Sequence, residues 1–130
     1  MVEAGLIGKQ VITVTSQNTA KALGSGGLEV FATPAMVALM EKTAAESVQP
    51  YLDEGWGTVG MSISVRHTSP TPVGMAVYSE STLTEVDGRR LVFELKASDE
   101  SGVIGIGTHE RFIISNDKFM QKVNEKINKA

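Results

Sequence analysis

The chain has no cysteine among its 130 residues. Disulfide staples, thiolate nucleophiles and cysteine-ligated metals are therefore excluded. Histidine is nearly as scarce: His67 and His109 are the only two, too few for a multi-histidine zinc site within one chain. No apolar run approaches the roughly 20 residues that a membrane-spanning helix needs. Basic charge is in deficit, with 12 Lys and Arg against 15 Asp and Glu. The largest basic cluster is Arg89-Arg90, so the electrostatic footprint of a nucleic-acid binder is missing. The lysines of KFMQKVNEKINKA alternate with other polar residues and read as a solvated helix face. The N-terminal MVEAGLIGKQ carries an acid and lacks the basic-then-apolar order of a signal peptide. The expectation is a cytoplasmic protein with neither nucleic acid nor membrane as partner.

What is present suits one domain over residues 1–130 with one core: 42% of the residues are hydrophobic and 21% charged. Lys9 to Thr15 is a β-branched run, a first strand. SQNTAKALGSGGLEV follows, and its Gly24-Ser25-Gly26-Gly27 cluster marks a loop. Thr33 and Pro34 suit the N-cap and first position of a helix. On that helix Val37, Met40, Ala44, Ser47 and Val48 share one arc, with Lys42, Glu46 and Gln49 opposite. Gln49-Pro50 ends it.

The period then changes from helix to strand. Val59, Met61, Ile63 and Val65 alternate with Gly60, Ser62, Ser64 and Arg66, and His67 continues the apolar series. Val73 to Val86 is a third strand, and Val86-Asp87-Gly88-Arg89 signals a tight hairpin turn. Leu91, Phe93, Leu95 and Ala97 face one way on the next strand. SDESG turns into VIGIGTHERFII, and a short helix begins near Asn116. This order gives an α+β fold: an antiparallel sheet of about five strands wrapped around one long central helix, the hot-dog arrangement, with a short C-terminal helix.

Three residues stand out for chemistry. Glu41 falls at the edge of the apolar helix face, where an acid either reaches solvent or an arginine, or serves as a base or nucleophile. His67 lies on the apolar side of its strand, at the strand end; it is a satisfied core histidine or a general acid/base. Thr33 caps the helix, or its hydroxyl orients a substrate beside the free N–H groups of the helix start. His109 alternates with Gly105, Gly107 and Arg111, apart from the apolar Ile104, Ile106, Phe112 and Ile114, so a structural or surface role is expected. The two glycines lie inside a strand and form no dinucleotide signature.

Five segments in order are more specific than any one of them: VFATPAMVALME, VQPYLDEGWGTVG, VRHTSPTPVGM, EVDGRRLVFELKASD and GIGTHERF. Together they resemble the fluoroacetyl-CoA thioesterase-like family of hot-dog proteins, from Val30 to Phe112. The resemblance implies hydrolysis of an acyl-CoA thioester by a homodimer with active sites at its interface, with further pairing into tetramers left open. It implies Thr33, Glu41 and His67 as the catalytic constellation and the Gly60 N–H as a donor to the thioester carbonyl. It implies no cofactor and no metal, coenzyme A being part of the substrate. Arg66 and Arg111 are candidate contacts for the coenzyme A phosphates. The segment ALGSGGLEV before the helix holds no aromatic side chain, which suggests an open lid and an acyl group other than fluoroacetyl.

A rival reading is a non-catalytic hot-dog module that binds acyl thioesters or another small hydrophobic ligand. Met36 and Met40, with Met61 opposite, would line its adaptable pocket. A hydratase would call for an Asp/His pair on the helix and its following loop, which is not found.

Overall fold

The computed structural model describes residues 2–128. Strand β1 (Ile7–Thr13) is followed by a helical turn α1 (Ala20–Leu23), the long helix α2 (Thr33–Val48) and a 3-10 turn. Four strands come next, β2 (Trp56–His67), β3 (Ala76–Asp87), β4 (Arg90–Asp99) and β5 (Gly102–Ser115), then helix α3 (Asn116–Asn128). The strands form one antiparallel sheet in the order β1-β3-β4-β5-β2, with β2 at an edge. Helix α2 lies against one face of it. This is the expected hot-dog arrangement.

The hairpin at Asp87–Arg90 follows from its glycine. Asp87 pairs with Arg90, and Gly88 has φ +60°, the conformation that the first central residue of a type II′ turn requires. On β4 the side chains of Leu91, Phe93, Leu95 and Ala97 are all buried, as their alternation predicts. They pack with Met36, Met40, Ala44 and Val48 of α2, and with Val77, Leu83 and Ile104, into one core.

The helix presents a different arc from the expected one. Met36, Leu39, Met40, Thr43, Ala44 and Val48 are buried, while Val37 and Ser47 are only partly so. Thr43 can enter because its hydroxyl donates to the Leu39 carbonyl at 2.7 Å and meets the Ser79 hydroxyl at 2.8 Å, leaving no polar atom unpaired. Gly8 lets the strand approach: a Cβ there would sit 2.7 Å from the Thr43 carbonyl oxygen.

Two strand phases also differ. The pairing of β2 with β5 slips between Gly60 and Ser62, which makes Met61 the extra residue of a β-bulge. Before the bulge Thr58 and Gly60 face the helix; after it Ile63, Val65 and His67 do. Met61 is turned out and 60% exposed, so the methionine pocket of the binding-module reading is not assembled. On β5 the helix-facing set is Gly105, Gly107, His109 and Arg111, preceded by the buried Ile104 at the irregularity with β4, and not Ile106. Ile106 is exposed, whereas His109 and Arg111 are buried. Gly105 makes room for the helix, a Cβ there falling 2.5 Å from the Met36 sulfur, and Gly107 makes room for Ser64 and Val65 of β2.

The loop before α2 is more ordered than its glycines suggest. The Ala22 N–H donates to the Thr19 hydroxyl at 3.1 Å. Gly24 closes α1 in the left-handed conformation, and Ala20 N–H donates to the Val30 carbonyl at 2.8 Å.

Candidate active site

Thr33 does not cap its helix. The N-cap is Ala32, and no side chain bonds the first-turn N–H groups. The Thr33 hydroxyl is thereby free, and it lies 2.8 Å from His67 Nδ1. The bulge in β2 is what turns His67 toward the helix start. Burial lowers the imidazole's pKa, and a backbone hydrogen bond at Ser69 offsets part of that shift, so His67 is neutral at pH 7. Its Nε2 is buried and has no partner, and Phe31 presents an edge to the ring with centroids 6.4 Å apart. A pocket of about 270 Å³ opens over this pair, lined by Ala20, Ser25, Phe31, Thr68 and Ser69 among others.

Glu41 belongs to a second cluster. It lies eight residues beyond Thr33 on the same helix, about 12 Å along the axis. A Cβ built on Gly60 would stand 3.0 Å from Glu41 Oε2, so glycine at 60 clears the space the carboxylate occupies. Arg111 Nη1 is 3.8 Å from the same oxygen. That is an ion pair but too long for a hydrogen bond, and the carboxylate keeps its lone pairs for another partner. Thus the structure joins Thr33 with His67, and Glu41 with Gly60, but does not bring the two pairs together within the chain.

The expected phosphate contacts fare differently. Arg66 is exposed and paired across β5 with the exposed Ile106, so it faces away from His67. Arg111 is buried, against expectation. Its Nε donates to the Thr58 hydroxyl at 2.8 Å and its Nη2 to the Thr58 carbonyl at 3.0 Å. A guanidinium committed in this way is not at the surface to meet a phosphate. His109, read from the sequence as structural or superficial, is a buried neighbour of Arg111, its Nε2 3.2 Å from Nη1. The signal that could have found it is the run Gly105-x-Gly107-x-His109, small residues that continue into a polar pair on one face. Two larger grooves of about 550 and 560 Å³ lie on the outer sheet face around Glu80 and Lys96, the first of them lined by Arg66 and neither by Thr33, Glu41, His67, His109 or Arg111. Among the described residues no group of three His, Asp or Glu side chains could hold a metal ion, and no helix is long and apolar enough to cross a membrane.

Residues 14–117 match the family model described as the fluoroacetyl-CoA-specific thioesterase. The chain belongs to the fluoroacetyl-CoA-specific thioesterase family. The fluoroacetyl-CoA thioesterase of Streptantibioticus cattleyicolor is 46% identical over 98 residues, covering 75% of this chain and 70% of that one. A solved structure of a fluoroacetyl-CoA thioesterase is 37% identical, with a TM-score of 0.91 over 97% of this chain and 98% of that chain. A hot-dog-like protein from Thermanaerovibrio acidaminovorans is 28% identical, with a TM-score of 0.87 over 95% and 91% of the two chains.

Proposed function

We propose that this member of the family hydrolyses a small acyl-CoA thioester to a carboxylate and free coenzyme A, and that it does so as a cytoplasmic homodimer. The observation that carries the reading is the division of the site into two halves along one helix and one edge strand. Thr33 and His67 lie at one end of α2 and β2; Glu41 and Gly60 lie further along both. A two-fold axis beside the unpaired edge of β2 sets two copies antiparallel, so that each His67 end meets the partner's Gly60 level. Two complete sites then form at the interface.

In each site Glu41 takes a proton from the attacking water. The Gly60 N–H and the uncapped start of α2 donate to the oxygen that becomes negative as the tetrahedral intermediate forms. One such donor is typically worth about 3 kcal/mol. Neutral His67, held by the Thr33 hydroxyl, donates a hydrogen bond to the departing sulfur, and the proton that Glu41 took from the water passes to the thiolate, so both side chains end as they began. A thioester carbonyl is already activated, and this route needs no resident cofactor or metal. The pocket over His67 has Phe31 as one wall, but the segment ALGSGGLEV beside it contributes Ser25 and Val30 and no aromatic ring, which supports an acyl group other than fluoroacetyl.

The test mixes two inactive variants. Glu41→Ala and His67→Ala are each expected to release no thiol above background from a panel of short, branched, aromatic and halogenated acyl-CoAs. After unfolding and refolding together, half of the dimers are mixed and each holds one intact site, so about a quarter of native activity returns. Recovery of none, with dimers verified by light scattering, overturns the shared site. Equal slow background in native and variant proteins overturns the thioesterase reading.

A further inference from the structure

His109 has no part in the mechanism above, yet it is 1% exposed in the middle of the helix-facing side of β5. Its Nδ1 lies 2.7 Å from the Ser62 carbonyl oxygen. A carbonyl can only accept, so Nδ1 carries a proton. Nε2 lies 3.2 Å from Arg111 Nη1, and a guanidinium can only donate, so Nε2 offers a lone pair. One neutral tautomer satisfies both contacts. A doubly protonated ring would set an N–H against an N–H and one positive charge against another.

The two anchors are not arbitrary. Ser62 is the residue immediately after the Met61 bulge, and Arg111 is the cation beside Glu41. Thr58 holds the Nε and Nη2 corners of the guanidinium, while His109 holds Nη1, the corner that faces the carboxylate. Without that acceptor, Nη1 is free to turn toward Glu41 and draw the carboxylate into a closed hydrogen-bonded pair, away from the space that Gly60 leaves.

We propose that His109 is a positioning residue for Glu41: it ties Arg111 Nη1 to the β2 bulge, so that the carboxylate is countered by charge but left free to work. The proposal rests on the catalytic role given to Glu41. Phe93, with its ring 6.1 Å from that of His109, packs the imidazole in place. The charged groups around it are Arg111 and Glu110 on β5 and Glu41 on α2; β2 presents the Ser62 carbonyl.

Two variants separate positioning from packing. In His109→Gln, the side-chain oxygen reaches the place of Nε2 and can accept from Arg111, while the bond to Ser62 is lost. In His109→Asn, the amide N–H can replace Nδ1 toward Ser62, while Arg111 loses its acceptor. The expected pattern is crossed. The Asn variant melts near the native protein but loses about ten- to a hundredfold in kcat, with KM moving less than about twofold. The Gln variant melts lower and keeps kcat within about threefold of native. A purely structural histidine predicts that activity follows melting temperature, and that result overturns the proposal. So does native kcat in the Asn variant.

A nitrogen NMR signal from the Arg111 Nη1–H group supplies the readout that does not depend on activity. It is expected to be sharp and slow to exchange in the native and Gln proteins and broadened in the Asn protein. Equal signals in all three overturn the anchoring. If Glu41→Ala proves fully active, the thioesterase reading of Glu41 has failed, and the NMR comparison alone decides whether His109 anchors Arg111.

Discussion

Replacing Gly60 with alanine puts one methyl group where the Glu41 carboxylate now lies. The added Cβ would stand 3.0 Å from Oε2, and 3.5 Å from both Arg111 Nη1 and His109 Cε1. The last two are ordinary contacts. The first is short by about 0.4 Å of van der Waals separation, and the carboxylate must retreat. Glu41 can do so, because its side chain is 40% exposed. A displaced χ angle costs on the order of 1 kcal/mol, and the lower entropy of an unfolded alanine returns roughly 0.4–1 kcal/mol. The net change in stability is therefore small, and the melting temperature should stay within about 4 °C of native. Catalysis has no such compensation. A reacting group displaced by up to about 1 Å can lose about a hundredfold, so kcat/KM should fall by about ten- to a hundredfold. The assay is continuous detection of free coenzyme A thiol beside a thermal melt of the same samples. Native activity in a folded Gly60→Ala protein would refute the placement of the working carboxylate at Gly60. A collapse in melting temperature would refute the claim that only a mobile side-chain tip stands in the way.

Gly105→Ala should behave in the opposite way. Its Cβ would meet the buried Met36 sulfur at 2.5 Å and the Arg66 carbonyl oxygen at 3.2 Å, overpacking that typically costs about 1–3 kcal/mol, readable as a lower urea midpoint. A midpoint equal to native would show that Met36 has room to move. The histidines set an acid limit on stability. Burial lowers the pKa of both His67 and His109, so below the unfolded value of about 6.5 the unfolded chain binds protons that the native one refuses. Urea midpoints should be level above about pH 6.5 and fall as the pH drops through the depressed native values. A midpoint that rises on going from pH 7 to 6 would overturn this.

Where side chains are large and alternate without interruption, the fold was legible. Leu91, Phe93, Leu95 and Ala97 read correctly because nothing breaks the period of two on β4, and the Asp87-Gly88 turn is written in residues that few other conformations favour. The face of β2 was legible from Ile63 onward, where Ile63, Val65 and His67 turn inward as expected, but not before it, because one extra residue at Met61 puts Thr58 and Gly60 inward in place of Val59 and leaves no compositional mark. On β5 the glycines hid the inward face: a residue without a side chain shows no preference, and only the approach of Met36 decides the matter. Thr33, Glu41 and His67 could be singled out from residue type and position. Their division into two clusters could not, since it depends on distances along a helix and a strand that share a sheet edge. Arg111 and His109 were misplaced for the same reason as the strand phase.

The bulge at Met61 takes up one surplus residue of β2 without disturbing the pairs on either side of it. The side chain at 61 points out, so its identity is nearly free to change. Deleting that position leaves a regular ladder in which Ser62 still meets Glu110 and His67 still meets Gly105, so every residue downstream keeps its face. A lineage could therefore exchange or even delete Met61 and keep the inward faces of Gly60 and His67, whereas a flat ladder that kept all 12 residues of β2 would turn His67 outward and Arg66 inward.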